Sequence, residues 1–188
     1  MSLSVNKIIK IAILDLNNGY KNQGLRCIKD IVNNWELSID NKIEIAEFDV
    51  RQKCEIPTLY YDIFISSGGP GNPLEEEDGA WAAKYFQWIS EVEEWNNNPQ
   101  NINKKSIFFI CHSFQLACRY YKIGSISKRK STAFGIFPCH ILANLNEEPI
   151  FKNLKNPFFI VDSRDYQVIE QYEIYTKKEA LEILAIEK

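Results

Sequence analysis

Histidine is almost absent from this chain: two residues in 188, His112 and His140. With so few imidazoles, any chemistry that needs a general base at neutral pH has a very short list of candidates. Metal-binding patterns are missing as well. The five cysteines (27, 54, 111, 118 and 139) include no Cys-x-x-Cys pair, and no His/Asp/Glu cluster has ligand spacing, so no metal or cofactor is implied. An odd cysteine count in a chain long enough to bury a full core argues against a disulfide framework and for a reducing, cytoplasmic setting. Long apolar runs are lacking, and residues 1–7 carry no apolar stretch of the signal-peptide kind, so no membrane span is expected. Nor does one sign of charge dominate: 22 Lys and Arg against 25 Asp and Glu leave a formal charge of −3. The single basic cluster, Lys128-Arg129-Lys130, reads as a solvated loop, and no nucleic-acid partner is expected. Repeats, low-complexity tracts and separating linkers are all missing, which predicts one domain.

What is present is hydrophobic patterning of two periods. The apolar run over residues 7–14 reads as a strand ending at Asp15. Leu25, Ile28, Ile31, Val32 and Trp35 recur at helical spacing and predict an amphipathic helix over 22–35. Residues 43–48 and 62–66 read as strands. A second helix follows the acidic stretch Glu75–Asp78, whose carboxylates suit a helix N-terminus. Residues 106–110 read as a further strand and 112–121 as a helix. From Gly124 the pattern turns to β, with strands expected over 133–143, 158–162, 166–170 and 182–186. Strand and helix alternation through the first two thirds predicts an α/β fold. Its centre is a mostly parallel, flavodoxin-like sheet with helices on both faces, and a β-rich segment is added in the C-terminal third. In such sheets, sites form at the carboxyl ends of the strands. Asp15, the loop 66–73 and Cys111 all stand at such ends and are expected to converge.

Cys111 stands where the strand Ser106-Ile-Phe-Phe-Ile gives way to the helix His112-Ser-Phe-Gln-Leu-Ala. A sharp strand-to-helix turn exposes a nucleophile at its tip and aims the next backbone N–H at the reacting atom. A helix N-terminus also favours negative charge on a sulfur seated there. The turn alone leaves two readings open, nucleophile or core filler. Cys27, Cys118 and Cys139 lie in apolar periodic segments and read as filler. The loop Ser67-Gly-Gly-Pro-Gly-Asn-Pro73 is not a Walker loop, because no Gly-Lys-Ser/Thr follows. Glycines at a strand end let the backbone approach a ligand closely, so the loop is a candidate for a second oxyanion donor beside the N–H of His112.

Ser-Ser-Gly-Gly-Pro-Gly-Asn-Pro, followed some forty residues later by Ile-Cys-His-Ser-Phe-Gln, resembles a class I glutamine amidotransferase (glutaminase) domain. The resemblance extends in element order over about residues 8–188. It implies that Cys111 is the nucleophile, that Gly69 and His112 give backbone N–H groups to the oxyanion, and that Gln115 helps hold the substrate. Phe134-Gly-Ile-Phe-Pro138 is similar to the family's strand after the nucleophile helix. Asp162–Val168 faintly resembles its Ser-His-x-Asp segment, which places Arg164 or Asp165 near the pocket. The substrate implied is glutamine or a γ-glutamyl compound, with a separate ammonia-accepting synthase as the implied partner. Ser113 replaces the family's preferred glycine, and Phe109 stands where it often has another.

The family's base is a histidine in a His-x-Glu motif, and neither His112 nor His140 sits in one. Side chains of adjacent residues diverge at a strand-turn-helix, so His112 is not expected to reach the thiol; His140 reads as a structural strand residue. By the resemblance, a strand pair and the His-x-Glu turn follow Lys188, and the expectation is a domain truncated at its C-terminus. The alternative is a glutaminase-like binding or regulatory module that lacks the His-Glu pair.

Overall fold

A computed structural model describes residues 8–74, 79–142, 148–169 and 182–187. The chain forms two compact units, residues 1–120 and 121–188.

The first unit is built on a four-stranded parallel sheet of β1 (Ile9–Asp15), β2 (Ile43–Asp49), β3 (Ile63–Ser66) and β4 (Ser106–Phe109), in the order β2-β1-β3-β4. β1 is central, pairing with β2 from Ile9↔Ile43 to Asp15↔Asp49 and with β3 from Ile11↔Ile63 to Leu14↔Ser66. β3 in turn pairs with β4 from Ile63↔Ser106 to Ser66↔Phe109. Because all four strands run the same way, their carboxyl ends share one edge of the sheet. This is the predicted α/β architecture.

Successive strand residues point to opposite faces, and the two faces meet different helices. Ile11 and Ile13 are fully buried against Val32 of α1 (Gln23–Glu36), with Leu25, Ile28, Ile45, Ile63 and Ile65 packed around them. α1 starts where expected, because the Asn22 side chain accepts a hydrogen bond from Gly24 N–H at 2.6 Å. Its apolar face is narrower than the periodicity implied: Ile31 is 67% exposed, and Cys27 is exposed where core filler was expected. Both residues lie off the Leu25-Ile28-Val32 stripe that meets the sheet.

On the opposite face, Phe64 meets Trp88 of α2 (Ala80–Asn97) edge to face, with ring centroids 5.1 Å apart. The hydroxyls of Ser66 and Tyr85 lie 2.7 Å apart in the same layer. α3 (His112–Tyr121) lies beside α2, where Tyr120 stacks on Phe86 at 5.9 Å. The first helical residue of α2 follows Gly79, and the acidic stretch 75–78 lies outside the described residues.

The second unit is an antiparallel sheet of β5 (Ser125–Ile141), β6 (Phe158–Ile169) and β7 (Ala185–Glu187), in the order β6-β5-β7, with a short 3-10 turn at Pro149–Phe151. Three expectations are corrected here. β5 starts at Ser125 rather than Ala133, because the polar stretch Ser125–Lys128 pairs with Tyr166–Ile169 of β6. Lys128-Arg129-Lys130 is therefore strand and not loop, and Arg129 forms an ion pair with Glu187 at 3.5 Å. The two strands expected over 158–162 and 166–170 are one, since Asp162, Ser163 and Arg164 pair with Gly135, Phe134 and Ala133. Position 170, residue 143 and residues 1–7 lie outside the described residues.

Candidate active site

β4 ends at Phe109, and the backbone bond pattern carries one step further. Ile110 N–H donates to Ser66 O at 3.0 Å, which ties the start of the turn to the end of β3. The next residue, Cys111, has φ +53°, in the left-handed region that side chains other than glycine seldom adopt. α3 begins at once with His112. An exposed cysteine is thus held in a strained backbone conformation between a strand and a helix. That is the geometry of a nucleophile elbow.

Ser113 explains how the turn tolerates a side chain in place of glycine. It is fully buried, and its hydroxyl donates to Ser66 O at 2.8 Å while accepting from Ile110 N–H at 2.8 Å. The hydroxyl therefore stitches the turn to β3. The backbone N–H of His112 belongs to the first residue of α3, directly after the cysteine. His112 itself is buried, at 2% exposure. Gln115, also buried, lies one helical turn beyond the cysteine, and its N–H donates to Cys111 O at 3.0 Å.

The Gly-rich loop closes against both partners. A Cβ on Gly68 would lie 3.1 Å from Cys111 Cβ and 3.8 Å from its Sγ. A Cβ on Gly69 would lie 2.1 Å from the Leu16 carbonyl oxygen, at the end of β1. Only glycine fits there. Ser67 secures the loop's entry: its N–H donates to Leu14 O at 2.9 Å, and its hydroxyl accepts from Leu16 N–H at 3.0 Å. Asp15 accepts from the N–H and side-chain amide of Asn17, at 2.8 and 2.7 Å, and so shapes the exit from β1. The carboxyl ends of β1 and β3 and the cysteine turn do converge, as expected. The pattern Gly68-Gly69 pointed to the loop, yet it took the structure to show that Gly68 faces the cysteine and Gly69 the β1 end.

The other cysteines differ from Cys111. Burial pushes the Cys118 thiol up to about 11, so it stays protonated at neutral pH. Cys139 is buried in β5, and desolvation pushes its thiol up; the Arg164 guanidinium counters this and the Asp162 carboxylate reinforces it. Cys54 is partly exposed and also has positive φ, but it follows β2 in a loop with no helix behind it.

In the second unit, Arg164 forms ion pairs with Asp162, at 2.8 Å, and with Glu187. Asp165 is exposed and accepts from the Thr132 hydroxyl. Adjacent strand residues leave on opposite faces, so Arg164 and Asp165 do not serve one pocket together. His140 lies in β5 opposite Ile186 of β7. Among the described residues no cluster of three or more His, Cys, Asp or Glu side chains is placed to hold a metal ion. None of the described helices is long and apolar enough to cross a membrane.

No protein-family model matches the chain, and no curated protein does. Solved structures do. A glutamine amidotransferase from Thermotoga maritima superposes with a TM-score of 0.61 at 15% identity, covering 85% of this chain and 61% of its own. The fold is that of the glutamine amidotransferases. A glutamine amido transferase from Methylobacillus flagellatus matches with a TM-score of 0.53 at 8% identity, over 86% of this chain and 57% of its own. The protein SMU.1228c matches with a TM-score of 0.60 at 13% identity, over 95% and 68%. The chain thus spans about three fifths of the length of the two named amidotransferase structures. At these identities the likeness is one of backbone path and assigns no reaction to Cys111.

Proposed function

We propose that this chain is a class I glutamine amidotransferase-like enzyme that hydrolyses the side-chain amide of glutamine, or a γ-glutamyl compound, through a cysteine thioester. The observation that carries this reading is the left-handed backbone of an exposed Cys111 at the head of α3, with the Gly-rich loop against it. In the reaction the Cys111 sulfur attacks the carboxamide carbon, and the carbonyl π electrons move to oxygen. The N–H groups of Gly69 and His112 take up that oxyanion, and Gln115 helps hold the substrate. The tetrahedral species collapses, the C–N bond breaks, and the nitrogen takes up the proton that the thiol gave up and leaves as ammonia. Water then attacks the thioester carbon, releasing glutamate and restoring the thiol. The ammonia goes to water or to a separate acceptor enzyme.

A second reading, a glutaminase-like module that binds glutamine without cleaving it, is favoured by one observation. A reacting thiol must shed its proton, and neither histidine of the sequence stands in a His-x-Glu motif. Ammonia release from glutamine by the full-length protein separates the two. The enzyme reading predicts release that Cys111→Ala removes entirely. Glutamine binding without release, equal in the wild type and Cys111→Ala, supports the module.

A further inference from the structure

The Gly-rich loop needs more than its glycines to stay where it is. Gly69 must sit against the Leu16 carbonyl at a distance no Cβ would allow, and Ser67 anchors only the entry to the loop. The anchor on the other side of Gly68-Gly69 is Arg51, which follows β2. Its guanidinium NH1 donates to Leu16 O at 3.3 Å and also to Pro70 O. The guanidinium carbon lies 5.2 Å from the centre of the Trp81 ring, at the start of α2. One planar cation therefore bridges the end of the central strand and the residue after Gly69, backed by an aromatic face. The far end of the loop is secured separately, by Arg119 of α3 donating to Pro73 O.

We infer that Arg51 is a positioning residue that sets the Gly68-Gly69 peptide as an oxyanion donor. The inference rests on the glutaminase reading of Cys111. A peptide flanked by two glycines rotates readily, and an N–H serves an oxyanion only when held in place beforehand. Ser67 and Arg51 fix its two flanks. Nothing in the sequence around Arg51 marks this role, since its partners lie 35 and 19 positions away. Lysine replaces it only in part: one nitrogen, NH1, meets both carbonyls, which an ammonium can imitate, but an ammonium on a flexible stem offers no plane to stack on the Trp81 ring.

The test uses two reagents on the full-length protein. Iodoacetamide alkylates an exposed thiolate without an oxyanion donor. The same sulfur displaces chloride from a chloroketone analogue of glutamine, forming a thioether, but the carbonyl oxygen of that analogue draws on the donor. In Arg51→Ala, iodoacetamide labelling of Cys111 is expected to stay within about twofold of wild type. Chloroketone labelling falls at least about tenfold, towards the roughly 100-fold that losing a donor outright costs. The turnover number for glutamine falls with it, while KM changes little. Arg51→Lys shows the same split at smaller amplitude, and carries the test if the alanine variant does not fold. Equal chloroketone labelling of the wild type and both variants overturns the role of Arg51. A wild type that takes iodoacetamide on Cys111 but no chloroketone overturns the glutaminase reading itself.

Discussion

Gly69→Ala is expected to cut glutamine turnover by about 100- to 1,000-fold, the cost of losing one oxyanion donor. The reason is steric. A Cβ at position 69 would lie 2.1 Å from the Leu16 carbonyl oxygen, where ordinary contacts exceed 3 Å. Leu16 cannot retreat: it is fully buried, its N–H is bound to the Ser67 hydroxyl, and its carbonyl accepts from Arg51. The loop must therefore move, and the Gly69 N–H moves with it. Overpacking of this kind costs about 1–3 kcal/mol of stability, so the variant still folds. Gly68→Ala is the matched comparison. Its added carbon meets Cys111 Cβ at 3.1 Å, and shifts of a few tenths of an ångström relieve the contact. Steady-state kinetics on the two variants should show the order wild type, Gly68→Ala, Gly69→Ala, with the loss in kcat rather than KM. A Gly69→Ala enzyme as active as Gly68→Ala would contradict the placement of the loop.

Cys111→Gly is expected to do two opposite things. It removes the sulfur and with it all turnover. It also makes the protein more stable than Cys111→Ala, because glycine adopts φ +53° freely while alanine keeps the strain of about 1–2 kcal/mol. Glycine's greater freedom in the unfolded chain takes back about 0.5–1 kcal/mol. A net gain near 1 kcal/mol raises the melting temperature by about 2–4 °C at this chain length. Thermal denaturation of both variants checks this. Alanine matching or exceeding glycine would show that the turn is not strained, and strain at a nucleophile is what ties the elbow to a catalytic purpose rather than to packing.

The elbow was readable because its parts are local. Four apolar residues ending in Cys111 and followed at once by helix formers state a strand, a turn and a helix within sixteen positions. The central strands were readable for a related reason, since buried parallel strands are short, apolar runs. The first half of β5 was not. Ser-Ile-Ser-Lys-Arg-Lys-Ser-Thr carries little strand signal, and it becomes strand because β6 offers it a ladder and Glu187 a partner for Arg129. Likewise Ser163-Arg-Asp165 looks like a break between two strands until Arg164 is seen paired with Asp162 and Glu187. Helical phase misled at Cys27 and Ile31, where spacing alone does not say which side of α1 the sheet occupies. Ser113 looked like a departure from the family's glycine. Its hydroxyl turns out to join the turn to β3, a role that depends on Ser66, 47 positions away. Arg51 acts on carbonyls from two distant segments, and no window of sequence contains that relation.

The central claim is a covalent bond between Cys111 and a γ-glutamyl group. Rapid acid quench of the full-length protein during turnover of glutamine, followed by mass spectrometry of the intact chain and its peptides, tests it directly. The account predicts a γ-glutamyl adduct on the peptide containing Cys111, absent from Cys111→Ala and cleared when glutamine is exhausted. Ammonia release without any adduct on Cys111, or undiminished release by Cys111→Ala, would contradict it.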